Sequence, residues 1–190
     1  IPATVFLIFM AEPLIVTLFT ETYSDSVPIF MIYLILLPTY ALNLRWILMA
    51  SGQTNFLLKL AVSMSVINVI LSYGFLMTLE GDNRLLGIPF STVLVTWLAT
   101  FIVMNRSLAT LGSSVLETYP LKEMWILTAI SLVAALPVIL VSSLGLSNIV
   151  TLILSGVLFK IVFLTLSFKL KLVGDDEIKL VKSFLPFSGN

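Results

Sequence analysis

Four residues could do chemistry in this chain: Arg45, Asn43, Glu12 and Lys160, each set within a long apolar run. Arg45 and Asn43 belong to Val27 to Gly52, VPIFMIYLILLPTYALNLRWILMASG. That stretch is long enough to cross a bilayer, since about 20 helical residues span the hydrocarbon core. A charge at the bilayer centre costs at least ~2.5–3.5 kcal/mol on the insertion scale, so an arginine there must reach the interface, face a polar cavity or find a counter-ion. Arg45 stands five residues before Ala50, which puts it roughly 8 Å from the cytoplasmic end of its segment at the helical rise. Two readings are open. The side chain snorkels to the interface, or Arg45 and Asn43 face a cytoplasm-side cavity and bind an anionic headgroup. Arginine suits a phosphate because its planar fork donates two parallel hydrogen bonds.

Glu12 and Lys160 lie near the middles of the first and last apolar runs, at heights that agree within a turn. Neither reaches an interface easily, so both are expected to face protein or water, and one arrangement has them neutralise each other. Glu12 also precedes Pro13. An intramembrane carboxylate beside a proline kink can exchange a proton or a cation during transport. The sequence leaves both roles open.

The rest of the composition removes most other chemistry. The 190 residues contain no cysteine and no histidine. Thiol chemistry, imidazole acid–base catalysis and the commonest zinc sites are therefore excluded. No Gly-rich phosphate loop with a lysine and no arginine ladder of a voltage sensor is present. Net charge is zero, so no bulk field points to nucleic acid. No enzyme activity, cofactor or metal is expected. The isolated Asp175-Asp176-Glu177 triplet is better read as the first turn of a tail helix, where acids complement the helix dipole.

With 59% hydrophobic residues and a mean hydropathy of +1.13, the chain exceeds what a soluble core requires. The apolar runs are long and do not alternate, which favours helices over barrel strands. The expectation is an all-α, polytopic transmembrane helical bundle with six spans, about 1–20, 27–50, 56–79, 86–104, 124–141 and 149–168. A short cytoplasmic amphipathic tail over 173–190 follows, with Ile178, Val181 and Leu185 on its apolar stripe. The breaks after the second and fourth spans, with the tail and flanks, hold Lys59, Arg106, Lys122, Lys169, Lys171, Lys179 and Lys182. The opposite breaks hold Arg84 alone among basic residues. The positive-inside rule then places both chain ends in the cytoplasm. Pro13, Pro38 and Pro137 are each expected to kink a helix. Ser65, Asn68 and Ser72 form one helical stripe, and Thr92, Thr96 and Thr100 another; helix packing is preferred over an aqueous path. The chain opens on Ile1-Pro2 and is apolar by Val5, with no charged leader, so a preceding N-terminal half of the same protein is expected.

The order of several short motifs resembles the C-terminal half of polysaccharide flippases of the multidrug/oligosaccharidyl-lipid/polysaccharide exporter superfamily. These are Ile1-Pro2-Ala3, Ala11-Glu12-Pro13-Leu14-Ile15, Leu18-Phe19-Thr20-Glu21-Thr22-Tyr23, Ala50-Ser51-Gly52-Gln53-Thr54, Val66-Ile67-Asn68-Val69-Ile70 and Leu86-Gly87-Ile88-Pro89-Phe90-Ser91-Thr92. They cover roughly Ile1 to Gly112. Thr20 stands where the family usually has glycine, and Ile88-Pro89-Phe90 where it has small residues. The resemblance implies one lobe plus the final helix pair of a two-lobed transporter, whose cavity alternates between membrane faces to flip a lipid-linked oligosaccharide. Within the same superfamily, a proton- or sodium-coupled multidrug exporter is the alternative. Outside it stands a non-transporting membrane scaffold subunit.

Overall fold

The computed structural model describes residues 1–170 and Leu172, apart from the side chain of Asp82. All regular structure among them is helical. Five helices are long and apolar enough to cross a membrane, or six when the bent N-terminal pair counts as one span. The chain is thus an all-α polytopic membrane protein. The expected tail helix lies outside the described residues.

Prolines explain the first interruptions. The first run is two helices, α1 (Pro2–Phe9) and α2 (Ala11–Phe19), bent by 68° at Met10. A proline clashes with the carbonyl four residues earlier and offers it no N–H. For Pro13 that residue is Phe9, the last of α1. The second run obeys the same rule. Its first helix, α3 (Val27–Leu34), ends four residues before Pro38, and α4 (Leu37–Ala41) begins one residue before it. A second interruption then follows at Leu42–Leu44, before α5 (Arg45–Ala50). The expected second crossing thus holds as an apolar span over Glu21–Ala41, with a tight turn inside it at Ile35–Leu36, and ends at the break before α5. Pro137, in contrast, sits inside the unbroken helix α9 (Leu121–Ser142). That helix buries Ile130, Ala134, Ala135, Val138 and Val141 along its length, and this packing offsets the cost of about 3 kcal/mol that a proline brings to a helix interior.

The remaining helices are long. α6 (Thr54–Thr78) and α7 (Gly87–Leu111) are joined by a 3-10 turn at Gly81–Leu86. α7 runs past the expected end at Met104, because Asn105-Arg106-Ser107 is compatible with a helix leaving the membrane. It stops at Gly112, whose φ of +67° supplies the left-handed cap. A short helix, α8 (Val115–Thr118), carries a reciprocal cap in which Glu117 accepts from the Ser114 N–H at 2.8 Å. That bond holds the Glu117 carboxyl below the usual carboxylate range. α10 (Asn148–Lys169) pairs with α9.

One core forms where α1, α9 and α10 meet: Met10, Ala134, Ala135, Val138 and Phe159, with the Phe6 and Phe159 rings 5.2 Å apart. The bend places Met10 fully inside it. α6 packs mainly on α7, with smaller contacts to the Gly81–Leu86 turn and α5. Its other face, Val62, Val66, Val69, Ile70, Tyr73 and Met77, is apolar and exposed, which is the surface a lipid chain would cover. Gly87 lets α6 and α7 close up: a Cβ there would stand 2.5 Å from the Phe75 Cβ. Gly87→Leu is expected to destabilise this pair by about 1–3 kcal/mol, as overpacking does. Thermal unfolding in detergent measures it, with Gly74→Leu, where a Cβ meets open space, as the comparison.

Candidate functional site

Arg45 opens α5 directly after the unwound residues Leu42–Leu44. Backbone that leaves the helix inside a membrane must find its hydrogen bonds within the protein. The partners here come from distant side chains. The Leu44 carbonyl accepts from Ser107 Oγ at 3.0 Å, and the Leu42 carbonyl from the Tyr119 hydroxyl at 3.0 Å. Asn43 Oδ1 accepts the Arg45 backbone N–H at 3.0 Å, the local turn for which an asparagine suits such a break. At the earlier interruption the Ile35 carbonyl accepts from Trp97 Nε1 at 3.2 Å. Ser107 is fully buried. Burial raises the Tyr119 phenol above its ordinary value, so it remains a neutral donor. The break is thus tied to α7 and to the turn between α8 and α9.

Arg45 lies on the wall shared by two cavities. One, of about 170 Å³, is lined by Thr39, Tyr40, Asn43, Thr96 and Thr100 among others. The second, of about 230 Å³, is lined by Ala61, Met64, Ser65, Asn68 and Thr96. Arg45, Thr96 and Ala99 line both. The height of these residues bears on the two readings of Arg45. At ~1.5 Å per residue, Ala61 lies about 10 Å inside the start of α6 at Thr54, and Asn68 deeper still. The side chain therefore stands beside the middle of α6 and α7 rather than at their ends. Among the described residues no carboxylate lines either cavity. One guanidinium with hydroxyls and an amide, and no acid, makes a site suited to an anion with polar substituents.

The two polar stripes touch through Asn68 and Thr92 and divide between packing and lining. Ser91 Oγ contacts Ser72 Oγ at 2.5 Å and donates to Asn68 Oδ1 at 3.0 Å, while Asn68 Nδ2 donates to Thr92 Oγ1 at 3.4 Å. This knot joins α6 to α7. Ser65, Thr96 and Thr100 open onto the cavities, and Asn68 serves both. Ser91, Ser107, Trp97 and Tyr119 escaped sequence reasoning; the asparagine between two leucines at 42–44 was the one local sign of a break.

Glu12 and Lys160 are not brought to this site. Both are exposed, and among the described residues no ion pair or hydrogen bond joins them. Met10 and Phe159, each within two residues of one of them in sequence, share one core. No protein-family model, curated protein or solved structure matches the chain.

Proposed function

We propose that this chain is part of a transporter that flips a lipid-linked oligosaccharide or polysaccharide precursor across the cytoplasmic membrane by alternating access. The observation that carries the reading is Arg45 at a break in a membrane run, on the common wall of two acid-free cavities at mid-height of α6 and α7. Broken helices at the bilayer midplane are where transporters build substrate sites. A lipid-phosphate-linked glycan has an anionic centre for the arginine and hydroxyls for Asn43, Thr96 and Asn68, while its tail stays in lipid. A cationic drug would be repelled by the same charge, which sets the multidrug reading second. The reading makes the chain non-enzymatic, driven by a gradient or membrane potential, with both ends cytoplasmic and a preceding half completing the cavity.

The test is Arg45→Ala in cells that depend on the intact protein. Lipid-linked glycan is expected to accumulate on the cytoplasmic leaflet, by roughly tenfold or more if one charge-assisted phosphate contact is lost. Unchanged glycan export by a variant present at normal abundance would remove Arg45 from the mechanism.

A further inference from the structure

Arg106 belongs to α7, one of the two helices that Arg45 stands beside, but it lies near the end of that helix, and it is held from two sides. Its Nε donates to Gln53 Oε1 at 2.9 Å, and its guanidinium carbon lies 5.4 Å from the centre of the Phe56 ring. Gln53 is itself fixed, with Nε2 donating to Thr110 Oγ1 at 3.0 Å. Thr110 Oγ1 in turn donates to the Arg106 carbonyl at 2.9 Å. The loop of contacts closes on the residue it orients. Among the described residues, the two Nη groups make no hydrogen bond, and Arg106 is exposed. A surface arginine normally gives up rotamer freedom when it binds. Here part of that freedom is already removed, and the free edge is the pair of parallel donors that fits two oxygens of a phosphate.

The location selects the source of that phosphate. Gln53 immediately precedes α6, and Arg106 lies near the end of α7 at Leu111. This is the level at which a membrane helix leaves the hydrocarbon, where lipid phosphates lie. Leu58 and Leu111, at the same ends of the two helices, are exposed apolar side chains available to an acyl chain. We propose that Arg106, set by Gln53 and Phe56, is a binding position for the phosphate of an anionic phospholipid. It requires neither transport nor Arg45.

The full chain reconstituted in phosphatidylcholine vesicles with a minor share of phosphatidylglycerol, then extracted in mild detergent, is weighed with its retained lipid by native mass spectrometry. Wild type is expected to retain phosphatidylglycerol selectively, and Arg106→Gln to lower that retention about tenfold, as loss of a charge-assisted pair does. Arg106→Lys keeps the charge but neither the fork nor the Gln53 bond, and should lose most of the retention. Gln53→Ala should lose less. Lys59→Gln, a basic side chain near the same end with no such brace, should behave as wild type. Retention unchanged in Arg106→Gln with a normal unfolding temperature would overturn the proposal. So would an equal loss in Lys59→Gln, which would mean a diffuse basic surface, or full retention in Arg106→Lys, which would mean charge without orientation. Displacement of the lipid by millimolar inorganic phosphate would also overturn it, by making this a soluble-anion site. If Arg106→Gln does not fold, Gln53→Ala and Arg106→Lys decide the matter alone.

Discussion

Tyr119→Phe will cost the folded chain about 1–3 kcal/mol, the penalty for leaving a desolvated carbonyl without a donor, and Ser107→Ala about 0.5–1.5 kcal/mol, since the carbonyl it bonds keeps the Ile47 N–H at 3.0 Å. The carbonyls are those of Leu44 and Leu42, which these hydroxyls hold at 3.0 Å each. Both substitutions keep nearly the whole side chain, so the loss is not one of packing. The double variant will lose less than the sum of the two, because both bonds secure the same three residues. Once one is gone the segment relaxes, and the second bond is worth less. Thr128→Ala is the comparison. Its hydroxyl also donates to a carbonyl, that of Met124 at 2.8 Å, but within the regular helix α9, where the carbonyl keeps its backbone partner. That variant should lie within about 0.5 kcal/mol of wild type. Additive losses in the cycle would show that the two hydroxyls act separately and that Leu42–Leu44 is not one braced unit.

The cycle also bears on how much of this fold the sequence could reveal. Interruptions caused by proline were legible, because the cause is local. Pro13 and Pro38 each forbid the carbonyl four residues back, and α1 and α3 end there. Pro137 obeys the same local chemistry, but α9 continues, since side chains distant in sequence pack along it. The break at Leu42–Leu44 is the opposite case. Nothing local forces it beyond Asn43, and the donors that stabilise it lie 63 and 77 residues away. A single apolar run carries no signal for that. The polar stripes were legible as stripes because helical spacing is a property of one segment. That Ser91 donates to Asn68 depends on the register between two helices, which Gly87 sets by close approach. For Arg45 the segment could be counted, but its depth could not. Counting from Ala50 assumes one straight helix, whereas α5 begins only after the break at Leu42–Leu44, and Arg45 shares a cavity wall with Ser65 and Thr96. Whether Glu12 and Lys160 face each other was not readable either, because it depends on how α2 packs against α10 and not on either segment alone.

The electrostatic character of the site can be measured without knowing its ligand, because the chain has no cysteine and a single introduced thiol reports on its own surroundings. Thr96 lines both cavities with Arg45, so Thr96→Cys places a thiol within the field of the guanidinium. Two unit charges about 6 Å apart interact by roughly 3 kcal/mol at an effective dielectric constant near 20, and mobile ions reduce this. An anionic methanethiosulfonate reagent is therefore expected to modify Thr96→Cys about tenfold faster than a cationic one of similar size, which corresponds to ~1.4 kcal/mol. Adding Arg45→Glu should invert the preference, and Arg45→Ala should abolish it. Raising the salt concentration should shrink it, though less than for a surface thiol, since the charge lies beside the middle of two helices. Ser143→Cys, exposed in the turn after α9, should react at rates indifferent to any change at Arg45. Equal rates for both reagents at Thr96→Cys would mean that the guanidinium does not govern the cavity. Silence toward both would mean that water does not reach it, and an anionic headgroup then has no path to Arg45.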